Sequence, residues 1–113
     1  MAIVDINKVE APAPGAPAAA FDPHQLVAGQ SGDFVIWRNN DPDQAHWPTQ
    51  AGKPDNWWMD DQLPPFVAGQ PAATSVAVDL PNASKTADTI IDYVCAIHQA
   101  ETGTIRIPQK GTT

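Results

Sequence analysis

Twelve prolines are scattered through the 113 residues, from Pro12 to Pro108, and their spread constrains the fold more than any other feature. Each lacks a backbone N–H and obstructs the preceding turn of a helix, so only short helix-compatible stretches remain between them. The longer runs are instead rich in β-branched and aromatic residues: Asp33-Phe-Val-Ile-Trp-Arg-Asn39, Thr74-Ser-Val-Ala-Val-Asp-Leu80, Thr89-Ile-Ile-Asp-Tyr-Val-Cys95 and Gly103-Thr-Ile-Arg-Ile107. All four read as strands. Residues Ile3 to Val9 alternate imperfectly and read as a short edge strand, and Leu26-Val27 begins another before the Gly29 to Gly32 turn. Short strands joined by irregular loops predict an all-β Greek-key sandwich. A chain of this length supports one core, so residues 1–113 are expected to form a single domain.

Two segments stand apart in composition. Residues 11–20 are almost entirely alanine and proline, which predicts an extended loop. Residues 47–66 form the heart of a long, proline-interrupted connection that contains Trp47, Trp57 and Trp58. Such a loop is expected to cover one end of the barrel.

Charge narrows the partners. Thirteen acidic residues against six basic ones leave a net charge of −7, and with no lysine or arginine cluster to displace counterions, nucleic acid is excluded as a partner. The acids fall in small groups, Asp41 with Asp43 and Asp55 with Asp60 and Asp61, which read first as solvated loop surface, with steering of a basic partner as the sharper alternative. No apolar run approaches the roughly 20 residues that span a bilayer. The first five residues, Met1-Ala2-Ile3-Val4-Asp5, have neither the basic nor the apolar region of an export signal.

Cys95 is the chain's one cysteine, so no intrachain disulfide forms and the thiol needs another role. It stands in Tyr93-Val-Cys95-Ala-Ile-His98-Gln-Ala-Glu101-Thr-Gly103, where a thiol, an imidazole and a carboxylate crowd one loop between two strands. Thiolate sulfur and imidazole nitrogen bind copper or zinc at bond lengths near 2 Å, and this spacing lets one loop offer both to the same ion. A second imidazole has to come from elsewhere, and His46 follows the strongest strand of the first half. His24, in the Asp22-Pro23-His24 turn, reads as a surface residue.

With these residues assembled, the chain resembles the cupredoxins over about Phe21 to Ile107. Phe21 to Leu26 and Gly32 to Asn39 are similar to that family's second and third strands, and Val67 to Gln70 leading into Thr74 to Leu80 is similar to the strand before its ligand loop. The Cys95, His98 and Glu101 spacing is similar to that of the amicyanins. The resemblance implies one copper per chain in a type 1-like site at one pole of the sandwich, with His46, Cys95 and His98 as ligands. It also implies an electron carrier rather than a catalyst, a redox partner docking near His98, a monomer by default, and a periplasmic or otherwise exported location.

Departures from the family bear on the chemistry. Glu101 stands where the family usually has an axial methionine. As a hard, anionic ligand it would favour Cu(II), lower the potential and give a green or red colour, as in red copper proteins of the nitrosocyanin kind. The alternative for Glu101 is a solvated carboxylate near the site, with the Ala45 carbonyl as a distant axial oxygen. Trp47 replaces an asparagine that ties the two ligand loops together in many relatives, and Ile97 replaces a proline, which frees its N–H to donate to the Cys95 sulfur. Met59 is a further soft candidate ligand, although a Trp57-Trp58-Met59 cluster more often packs a loop. Trp37 is expected in the core, while Trp47, Trp57 and Trp58 are candidates to shield the metal from water. Two other functions compete: an inner-sphere copper enzyme or small-molecule sensor in which Glu101 leaves an open position, and copper storage or a zinc site.

Overall fold

The computed structural model describes residues 2–52, 58–59 and 61–110. Trp57, Asp55 and Asp60 lie outside the described residues. Among the described residues nine strands follow in order: β1 (Ala2–Lys8), β2 (Ala19–Asp22), β3 (Gln25–Val27), β4 (Phe34–Asn39), β5 (Pro48–Gln50), β6 (Ala73–Thr74), β7 (Val78–Asp79), β8 (Thr89–Cys95) and β9 (His98–Ile107). One sheet runs β2-β1-β4-β6 with β7 also paired to β4, and the other runs β3-β9-β8-β5. Most pairs are antiparallel, but β1 lies parallel to β4 and β3 parallel to β9. The result is the expected all-β sandwich.

Alternation along the strands supplies the core. On β4, Val35 and Trp37 turn inward, on β1 Val4 and Ile6, and on β9 Ile105 and Ile107, each with at most 1% of its surface exposed. Burying each of these aliphatic side chains stabilises the fold by about 1.5–3 kcal/mol. At the centre is an aromatic cluster in which the Tyr93 ring meets Phe21 edge-on at 4.8 Å and Trp37 at 5.2 Å. Trp58 stacks on Trp37 at 5.0 Å with the planes 19° apart. Trp37 is therefore in the core as expected, and Trp58 belongs to the core packing rather than to a screen of the metal.

Three expectations are corrected. β1 is an interior strand between β2 and β4, not an edge, because the 11–20 loop returns at Ala19 to pair Ala20 with Asn7 and Phe21 with Ile6. The run 74–80 is not one strand. Ser75 is buried and its hydroxyl, not its carbonyl, receives the Trp37 N–H at 2.9 Å, while its own N–H donates to the Trp37 carbonyl. That exchange shifts the alternation, so Val76 is 63% exposed while Val78 and Leu80 are buried. Finally, β9 starts at His98 rather than Gly103, which shortens the connection after β8 to Ala96 and Ile97.

Candidate metal centre

The loop after β4 is organised by polar side chains before it reaches His46. Asn39, fully buried, donates through Nδ2 toward the carbonyls of Gln44, Leu63 and Pro64 at 3.0–3.1 Å and accepts the Asp41 N–H through Oδ1. His46 then pairs with Leu63 through two backbone hydrogen bonds of 3.0 and 2.7 Å. This clamp fixes the imidazole in a loop that strand pairing alone would leave free.

Cys95 closes β8 beside it. β5 pairs with β8 so that Pro48 faces Cys95, the Trp47 N–H donates to Cys95 Sγ at 3.3 Å, and the Ala96 N–H donates to the Trp47 carbonyl at 2.8 Å. The Trp47 amide and carbonyl thus tie the two ligand loops together where many relatives use an asparagine side chain. The donor to the sulfur is the Trp47 amide rather than that of Ile97. Across the two-residue turn Cys95 faces His98, with a register shift between Val94 and Cys95. Glu101 follows on β9 and points inward, with only 3% of its surface exposed. It is not the solvated carboxylate of the alternative reading.

The four side chains converge. Cys95 Sγ lies 3.8 Å from His46 Nδ1 and 3.5 Å from His98 Nδ1. Glu101 Oε1 lies 2.8 Å from His46 Nδ1 and 3.5 Å from His98 Nδ1. One ligand atom from each of the four falls within 4.8 Å of all the others. Donors bound at about 2.1 Å to one ion at tetrahedral angles stand about 3.5 Å apart, so three of these four separations already match a metal shell. Glu101 Oε1 is also a buried oxygen that accepts no hydrogen bond, its nearest polar neighbour being His46 Nδ1 at 2.8 Å. A cation among the four groups would satisfy it, and a thiol, two imidazoles and a carboxylate form a donor set suited to one copper ion.

No protein-family model matches the chain, and neither does any curated protein sequence. Solved structures do match. An amicyanin variant in its reduced Cu(I) form superposes with a TM-score of 0.60 at 18% identity, covering 93% of this chain and 79% of that one. Amicyanin from Paracoccus versutus gives 0.57 at 16% identity over 94% and 79%. A purple cupredoxin from Nitrosopumilus maritimus gives 0.57 at 16% identity and covers nearly equal shares, 95% of this chain and 99% of its own. The chain has the cupredoxin fold.

Within that cupredoxin frame, the remaining residues sort clearly. His24 is exposed in its turn, with its carbonyl accepting the Thr104 N–H. Met59 is buried in the hydrophobic cluster and its carbonyl accepts the Trp47 Nε1–H at 3.1 Å, the loop-packing role anticipated for it. Asp41 is not the solvated surface residue expected from its loop: it is 1% exposed, with Oδ2 2.8 Å from His46 Nε2. Asp43 beside it is exposed and pairs with Lys8. The signal for Asp41 was its position five residues before a candidate histidine ligand, because an imidazole that gives one nitrogen to a metal needs a partner for the other.

Electrostatics give the centre a pH dependence. Burial alone pushes the His46 pKa down, but its contacts with Cys95, Glu101 and Asp41 outweigh that and raise it to about 10 in the metal-free chain. The folded value therefore lies above the ordinary one, so this group contributes stability that is fully present below about pH 6.5 and is lost as pH rises through about 10. A metal has to displace that proton. We expect metal affinity to rise with pH across the neutral range, by up to about tenfold per unit for one proton released. Competitive chelator titrations between pH 6 and 9 measure this, and a flat profile would contradict the protonated state.

Proposed function

We propose that this chain is a mononuclear copper protein that carries electrons, with the ion held by His46, Cys95, His98 and Glu101. The convergence of these four ligand atoms within 4.8 Å, on a cupredoxin frame, is the observation that carries the reading. Copper supplies a one-electron couple between Cu(I) and Cu(II). The chain's own residues limit how far the site rearranges: His46 is clamped by Leu63, Cys95 by the Trp47 amide, and Glu101 by its place on β9 beside the core. His98 is the ligand nearest to solvent, with 29% of its side chain exposed next to Ile97, itself 48% exposed. A redox partner docking over these two residues would receive the electron through the imidazole. The periplasm or another exported compartment is the setting that fits such a carrier.

Glu101→Met is the test. A hard, anionic donor favours Cu(II), so its replacement by a neutral thioether raises the potential and makes the protein bluer. The expected change is at least tenfold in the ratio of Cu(I) to Cu(II) affinity, or about 59 mV. Unchanged potential and spectrum would remove Glu101 from the ligand set.

A second reading, an inner-sphere copper enzyme or sensor, is favoured by one feature. A cleft of about 230 Å³ lined by Pro17, Ala18, Gln44, His98 and Glu101 opens beside the centre. Azide or nitrite altering the visible spectrum would support it, whereas indifference to both favours the carrier. A zinc site would have no colour at all, so strong thiolate-to-copper absorption in protein from copper-replete cells separates it from either copper reading.

A further inference from the structure

Asp41 is built into the fold with unusual completeness. Its N–H donates to Asn39 Oδ1, its carbonyl accepts the Phe66 N–H, and its Oδ1 accepts the Asp43 N–H, all at 2.8–2.9 Å. The remaining oxygen, Oδ2, is 2.8 Å from His46 Nε2. Every polar atom of the residue is therefore partnered and the side chain has a single orientation. Among the described residues, the ion pair with His46 is the one Asp41 makes, the nearby Lys8 ammonium being taken by Asp43. Removing a carboxylate from water costs several kcal/mol unless opposite charge compensates it. An imidazole whose other nitrogen faces a cation site supplies that compensation.

We propose that Asp41 is a positioning residue of the metal centre, an inference that rests on the reading of His46 as a ligand. By accepting the Nε2 proton it holds His46 in the tautomer whose Nδ1 lone pair faces Cys95 and Glu101. By its charge it sets a second carboxylate behind the ring, in addition to Glu101 and the thiolate, and so favours the divalent over the monovalent ion. Partners of this kind both orient a ligating imidazole and raise its basicity, and their loss typically weakens metal binding by about 10–100-fold.

Asp41→Asn tests the charge while keeping the size and one oxygen able to accept the Nε2 proton. The expected result is one copper still bound, Cu(II) affinity lowered at least tenfold, and Cu(I) affinity changed much less. The potential then rises by about 59 mV for each tenfold difference. A purely structural role would lower stability and leave the potential in place, so a potential and Cu(II) affinity equal to the parent's overturn the inference. A measurement on the unaltered chain does not depend on the variant folding. In zinc-loaded protein with nitrogen-15-labelled histidine, His46 should carry a slowly exchanging, strongly downfield proton on Nε2, and a proton on Nδ1 would overturn the inference. Failure of the parent to bind copper or zinc defeats the ligand reading itself, whereas a parent that binds normally beside an unshifted Asp41→Asn variant defeats Asp41 alone.

Discussion

Cys95→Ser is expected to leave a folded chain that shows no thiolate-to-copper absorption and binds Cu(II) far more weakly than the parent. Serine is nearly the size of cysteine, so the fully buried position at the end of β8 is refilled without a large void. What disappears is the soft donor. The sulfur lies 3.8 and 3.5 Å from the two Nδ1 atoms and receives the Trp47 N–H, and a neutral hydroxyl in its place offers neither a thiolate's charge nor its affinity for copper. Urea melts of the metal-free proteins should agree to within about 1–2 kcal/mol, while chelator competition separates them widely. Equal affinities would mean that copper binds somewhere other than at Cys95.

Gly103→Ala is expected to destabilise the fold strongly. Gly103 faces Tyr93 across the β8–β9 pair, and a Cβ at this position would collide with the Tyr93 ring and hydroxyl. The ring cannot step aside, because Phe21 and Trp37 hold it on other faces. Forcing a methyl into such a packed site costs about 1–3 kcal/mol, which lowers the Tm by roughly 5–15 °C. The same strand carries Glu101 on the same inward face, two residues away, so copper affinity should fall with stability. Calorimetry of the metal-free chain checks the first effect, and a Tm equal to the parent's would show that β9 is not packed on Tyr93 in this way.

How much of this was legible depended on whether a residue's environment is local. β4 and β8 could be read directly, because Val35 and Trp37 and then Tyr93 and Cys95 alternate with exposed or half-exposed neighbours over six or seven residues. The Cys95, His98 and Glu101 spacing was equally clear, since one short turn presents all three. The first half of β9 was not. His98 to Thr102 is polar and carries no β-branched run, and it is a strand because Thr102 pairs with Val94 and Gly103 with Tyr93. The break at Ser75 was hidden for a related reason: an alternating sequence does not show that a hydroxyl takes the place of a carbonyl in bonding the Trp37 amide.

Asp41 is the clearest case of information that a local pattern cannot hold. Asn39-Asn40-Asp41-Pro42-Asp43 has the composition of a solvated turn, and Asp43 behaves that way. Asp41 is buried because Asn39 folds the loop inward and His46 supplies a partner. The same holds for the cage as a whole, because His46 meets Cys95 through the β5–β8 pairing, the Trp47 bonds and the Leu63 clamp.

The central claim is that one copper ion sits among His46, Cys95, His98 and Glu101. X-ray absorption at the copper edge of the unaltered protein, after titration to saturation, tests it most directly. The account predicts one tightly bound copper per chain, with a single sulfur and several nitrogen or oxygen atoms as neighbours. A saturated protein whose copper has no sulfur neighbour, or a chain that takes up no copper, would contradict it.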